Sequence, residues 1–133
     1  MIVVDASVGI KWLKQDEVGA DKALVYFQNH LEGKSQIVVP SLFFLEIANV
    51  LAVTKGISEK TMQDGIKLLN NSGLVLHSFT KSNLEEAALM AKRYTTTVYD
   101  MLYAVVAKEN VCELVTADEK FVKLSKFGYV KLL

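Results

Sequence analysis

Residues 35–56, SQIVVPSLFFLEIANVLAVTKG, hold the pattern from which the rest of the chain can be read. Ile37–Val39 is a short β-branched run, the composition of a strand, and Pro40 stops it because proline cannot donate to a sheet ladder. Pro40-Ser41 then opens a helix that runs to about Thr54 and is closed by Gly56. The helix is apolar on nearly every side, the mark of a helix buried among other elements. Its one charge is Glu46, and no other charged residue occurs from Ser35 to Thr54. A lone carboxylate there costs several kcal/mol unless something offsets it. No lysine or arginine lies in the segment, and Asn49, one turn on, can only hydrogen-bond. Either Glu46 reaches solvent or a distant lysine, or it belongs to a site; on this segment alone the two readings stand level.

Outward from this stretch the same alternation repeats. Ile2–Val4 is a β-branched run ending at Asp5, and Ser7 can cap a short helix over Val8–Leu13. A second helix runs from about Val18 to Leu31. Beyond Gly56, Ser58 caps a helix from Glu59 to about Asn70, and Asn70-Asn71-Ser72-Gly73 is a turn. Leu74–Phe79 reads as a strand. Ser82 with Glu85 forms a capping box for a helix through Arg93. Thr97 caps the next helix, which ends near Asn110. Glu113–Val115 is a strand, Thr116 with Glu119 forms a second capping box, and a helix runs to Lys126. Tyr129–Val130 is a short final strand. Strands separated by helical segments predict an α/β fold with a parallel sheet and helices on both faces.

Most acidic residues sit among polar or basic neighbours and read as a solvated surface. Asp100 does not: it is the only charge from Thr95 to Ala107, within TTTVYDMLYAVVA. Taken singly it is explained as an acid in the first turn of a helix, three residues after its Thr97 cap. Asp5 is likewise explained as a cap or turn-former, and Asp118 as the dipole-favoured acid at a helix start. Their common location changes the balance. Asp5 and Asp118 follow strands, Glu46 lies within two turns of one, and Asp100 opens a helix returning toward Glu113–Val115. If every helix starts where a strand finishes, all four map to the carboxyl edge, where open α/β sheets bind ligands.

Four converging carboxylates cannot all be ionised without a compensating positive charge. Oxygen-only donors select a hard cation, Mg2+ or Mn2+, and such ions suit phosphodiester cleavage because they activate water and offset charge on phosphoryl and leaving oxygens. Other catalytic patterns are absent: there is no GxSxG, glycine-rich phosphate loop or HExxH. His30 and His77 are each explained by a polar strand or helix face.

The 133 residues suit one domain, 1–133, and 51% apolar content with a single proline argues against disorder. Fifteen basic and fifteen acidic residues leave zero net charge, so nucleic acid would need a local basic patch rather than bulk attraction. Lys11 and Lys14 after the first strand, and Lys120 and Lys123 after the last, are candidates for contact with a nucleic-acid backbone; any one of them taken singly is better explained as an ordinary solubilising lysine. Cys112 is alone, so neither an internal disulfide nor a cysteine zinc site can form. MIVVD lacks the basic start and long apolar run of a signal peptide. Leu42 to Val53, the longest apolar stretch, is too short to span a bilayer. A soluble cytoplasmic protein with no membrane partner is expected.

With these residues in view, the chain resembles the PIN-domain ribonucleases, and closely the VapC toxins of VapBC toxin–antitoxin systems. The carriers are IVVDASV, PSLFFLEIANVL, TTTVYDMLYAVVA and LVTADEKF, whose acids lie at intervals of 41, 54 and 18 residues. The resemblance implies a three-layer α/β/α sandwich with a central parallel sheet, a homodimer, and Mg2+- or Mn2+-dependent cleavage of RNA leaving a 5′-phosphate and a 3′-hydroxyl. Asp5, Glu46, Asp100 and Asp118 match the family's acidic positions, with Asp5 and Asp100 as principal ligands. Ser7, Asn49 and Thr116 match polar positions that support them. A VapB-like antitoxin is the implied partner, with an arginine reaching the acids. The apolar segments around Phe43-Phe44 and Leu68-Leu69 would serve that interface, a dimer or simply the core.

Some relatives carry one more acid after the fourth; here Glu119 and Lys120 follow Asp118, which puts a fifth ligand in doubt. Three rival readings remain. A haloacid-dehalogenase-type phosphatase also starts with a strand ending in Asp, but wants a second acid where this chain has Ser7. A receiver-like module needs an early acidic pair that VVDAS does not offer. A PIN-type module that binds RNA or a partner without cleaving is the better non-enzyme alternative.

Overall fold

The computed structural model describes residues 1–133. Five strands, β1 (Ile2–Val4), β2 (Ile37–Pro40), β3 (Val75–His77), β4 (Glu113–Thr116) and β5 (Val130–Leu132), form one sheet in the order β3-β2-β1-β4-β5. Every pairing is parallel. Alternate residues of a strand face opposite sides, yet Val3, Val4, Ile37, Val38 and Val39 are all at most 1% exposed. Both faces of the sheet centre are therefore covered, which gives the expected α/β/α layering.

The covering helices are α1 (Ala6–Leu13), α2 (Ala20–Leu31), α3 (Ser41–Val53), α4 (Glu59–Asn70), α5 (Lys81–Tyr94), α6 (Val98–Glu109) and α7 (Glu119–Ser125). One apolar core joins them to the sheet. Trp12 of α1 stacks on Phe27 of α2 at 4.5 Å and donates its indole N–H to the Ala23 carbonyl at 3.0 Å. Gly9 lets α1 approach α3 closely: a Cβ at that position would overlap the Phe43 ring and Ile47 Cδ1. That approach brings the start of α1 and the middle of α3 together.

Several boundaries differ from the sequence expectation, each for a local reason. Asp5, not Ser7, caps α1, because its carboxylate accepts the Val8 N–H at 3.2 Å. The capping box of α5 is Thr80 with Asn83 rather than Ser82 with Glu85; Asn83 reaches back to the Thr80 N–H at 2.7 Å. Asp118 caps α7, and Thr116 ends β4 instead. β3 stops at His77, short of Phe79, because its partner β2 ends at Pro40, opposite His77. β5 starts at Val130 and extends to Leu132. α2 starts only at Ala20, since Gly19 adopts φ +81 and Lys11 holds the turn before it by donating to the Val18 carbonyl at 2.8 Å.

The premise that every helix starts at the carboxyl edge does not hold: α2 starts beside the far end of α1, where Trp12 bonds Ala23, and α5 also starts away from that edge. α5 and α6 are antiparallel: Asn83 and Glu86 near the start of α5 bond Glu109 and Lys108 at the end of α6. α5 therefore runs toward the acidic edge, and the Thr95–Thr97 turn delivers α6 to it. Asp100 reaches the edge through a helical hairpin, not directly from a strand.

Candidate metal centre

Each of the four acids is placed by a different element. Asp5 stands at the end of β1 as the cap of α1 and is buried. Two hydroxyls meet it: Ser7 Oγ donates to Oδ1 and Thr116 Oγ1 to Oδ2, both at 2.5 Å. These hydroxyls in turn accept the N–H groups of Ala117, at 2.8 Å, and Asp118, at 3.0 Å. The end of β1 is thereby stitched to the end of β4. Thr116 is 0% exposed, so its hydroxyl has no water alternative. Burial pushes the Asp5 carboxyl up to about 6; the bonds from Ser7, Thr116 and the Val8 amide oppose that rise, and the charge of Asp100 adds to it.

Glu46 sits half-buried on α3, and the phenol of Tyr103 on α6 donates to its Oε2 at 2.5 Å. Asp100, one turn before Tyr103, accepts from Thr97 Oγ1 at 2.7 Å, while its own N–H donates back to that oxygen at 3.1 Å. Asp118 is exposed and accepts the Phe121 N–H at 2.9 Å. Burial raises Glu46 and Asp100 above the usual carboxylate range; their hydroxyl donors act against the rise. In each case another acid of the set adds to it: Asp100 acts on Asp5 and Glu46, and Asp118 acts on Asp100. Asp100 is thus the electrostatic hub of the four.

None of the chain's ion pairs includes any of these acids. Glu46 is met by a phenol rather than a lysine. No three of the carboxylates close to the spacing of a preformed ion cage. The donor set nevertheless fits a hard divalent cation: oxygen only, partly desolvated, mutually repelling and ion-paired to no lysine or arginine.

The supporting residues divide. Ser7 and Thr116 each donate a hydrogen bond to Asp5, whereas Asn49 is exposed on α3 with no side-chain bond to an acid. Lys11 and Lys14 are not brought to the acids. Both bond Glu17, at 3.2 and 3.0 Å, at the end of α1 remote from Asp5. Lys123 pairs with Glu119 at 2.9 Å. Lys120 alone lines the acidic site, in a cleft of about 230 Å³ shared by Asp100, Asp118 and Thr95, Thr96 and Thr97. A larger cavity, about 510 Å³ and lined by Trp12, Leu51 and Leu68 among others, lies between α1, α3 and α4.

Tyr103 is the residue that sequence reasoning missed. A signal existed: a buried phenol in an otherwise aliphatic run needs a hydrogen-bond partner, and three residues after Asp100 it shares that acid's helix face. Burial and the charge of Glu46 drive its hydroxyl far above the ordinary range, so it stays protonated and donates.

The family model of the PIN domain matches residues 2–127. The chain belongs to the PIN domain family. PIN domains are generally nucleases. No curated protein matches this sequence, but solved structures do. The PIN domain is similar to PAE2754 from Pyrobaculum aerophilum, with a TM-score of 0.72 at 20% identity, over 97% of this chain and 81% of that one. It is similar to VapC20 of Mycobacterium tuberculosis, described as a sarcin–ricin loop cleaving toxin, with a TM-score of 0.71 at 13% identity over 92% and 94%. VapBC2 from Rickettsia felis, bound to a promoter DNA fragment, gives 0.71 at 14% identity over 99% and 98%. At these identities the likeness extends to the fold. No helix of this PIN domain is long and apolar enough to cross a membrane.

Proposed function

We propose that this PIN domain is a Mg2+- or Mn2+-dependent endoribonuclease and the toxin of a toxin–antitoxin pair. The observation that carries the reading is the set of four acids from separate elements, coupled through Asp100 and matched by no lysine or arginine. Asp5 and Asp100 are the principal ligands and Glu46 and Asp118 complete the set. A divalent ion there supplies the positive charge that makes a phosphodiester electrophilic and a nearby water acidic. Ser7 and Thr116 keep Asp5 oriented, and Lys120 offers a cation to the RNA backbone beside the acids. In-line attack of water leaves a 5′-phosphate and a 3′-hydroxyl.

The toxin role draws on the architecture shared with VapC20 and VapBC2. A VapB-like antitoxin carrying an arginine would satisfy the unmatched carboxylates. A homodimer in the cytoplasm completes the proposal. The open spacing of the acids favours one alternative, a PIN-type module that binds RNA or a partner without cutting.

Asp100→Asn decides between them. The variant is expected to fold and to lose Mg2+-dependent cleavage of RNA by several orders of magnitude, read on gels beside a circular dichroism melt. Undiminished cleavage removes the site assignment. A wild-type protein that binds RNA and metal but cuts no RNA supports the binding module.

A further inference from the structure

We propose that Tyr103 is a positioning residue of the metal site, holding Glu46 where an ion shared with Asp100 can use it. The inference rests on the metal-dependent reading above and names a residue outside its ligand set. Glu46 has a long side chain on a half-buried helix position and no cationic partner, so nothing on α3 itself fixes its carboxylate. The Tyr103 hydroxyl does, at 2.5 Å from Oε2, and Oε1 has no partner in the protein. One oxygen is anchored and the other is available to a ligand.

The anchor is itself rigid. Tyr103 is 2% exposed and belongs to the core cluster, so its ring is held by packing on all sides. Its hydroxyl also lies against the Ala6 backbone amide in the first turn of α1. The phenol therefore stands where α1, α3 and α6 meet, the three helices that carry or follow Asp5, Glu46 and Asp100. Because Asp100 and Tyr103 are one turn apart on α6, any shift of that helix moves one acid and the holder of another together. Groups that orient a ligand in this way are worth roughly 10- to 100-fold in metal affinity.

The test is Mn2+ binding by calorimetry on the full chain, for wild type, Tyr103→Phe, Glu46→Gln and the double variant, with a melt of each. Tyr103→Phe keeps the ring and removes only the hydroxyl. Its Mn2+ affinity is expected to fall roughly 10- to 100-fold, with its melting temperature close to wild type. The double variant should bind no more weakly than Glu46→Gln alone, since the phenol acts through that carboxylate. Excess Mn2+ should restore RNA cleavage to Tyr103→Phe. Wild-type affinity in Tyr103→Phe, or losses that multiply in the double variant, overturns the proposal while leaving the metal site standing. A wild-type protein that binds no Mn2+ overturns both.

Discussion

Acids at two places in this molecule meet opposite fates. Away from the carboxyl edge, Glu17 is held by Lys11 and Lys14, Glu86 by Lys108, and Glu113 lies 3.8 Å from Lys131. At the carboxyl edge, Asp5, Glu46 and Asp100 are met only by hydroxyls and amides, and repel one another. Hydroxyls and amides orient a carboxylate but bring no net charge. The first group is complete within the chain; the second is arranged and left electrically unfinished. That difference, more than the number of acids, separates a site from a surface.

The comparison breaks most decisively at Asp5. Its carboxyl titrates near 6 in the fold against 3.8 when free, so the native state binds the proton more tightly than the unfolded chain. The stability tied to that proton is fully present below about pH 4 and is lost as pH rises through 6, a total of about 3 kcal/mol. Urea unfolding in chelator at pH 4, 5, 6 and 7 should show this decline, and Asp5→Asn should flatten it. An identical slope in the variant places the titration elsewhere. Second in size is Thr116→Val, which removes a buried donor to Asp5 and the acceptor of the Asp118 N–H, for about 1–3 kcal/mol. Urea midpoints measure it, and a loss below about 0.5 kcal/mol would mean that the stitch between β1 and β4 carries little.

The smallest effects carry opposite signs. Neutralising Asp100 to Asn in chelator relieves repulsion and should raise stability, by no more than about 1 kcal/mol given its partial exposure. Glu86→Gln removes a partly exposed partner of Lys108 and should lower stability by about 0.5 kcal/mol or less. Melting curves at low salt compare the two. A shift of the same sign in both would erase the distinction between the regions.

Much of this was legible in the sequence because burial leaves a written trace. Val3, Val4 and Ile37–Val39 are apolar without alternation, which only a strand covered on both faces tolerates, and Glu46 and Asp100 stand out against charge-free surroundings. What was not legible depends on distant partners. Nothing near Glu46 in the chain points to Tyr103, 57 residues on. Lys11 and Lys14 follow the first strand, but α1 carries them to its far end and the turn before α2 returns Glu17 to them. Three caps slipped by two residues because several hydroxyls and acids crowd each helix start, and backbone geometry chooses among them. The direction of α5 depends on pairing with α6, which local periodicity does not record.

Gly9 touches no acid, yet it governs the separation of two of them. α1 leans on α3 through a gap that only a hydrogen atom fits, so any side chain there would have to displace the buried Phe43 ring and Ile47 and strain the contact that sets Glu46 of α3 beside Asp5. The reach of the site is thereby fixed from inside the apolar core, and a survey confined to polar residues around the acids would pass over its tightest tolerance.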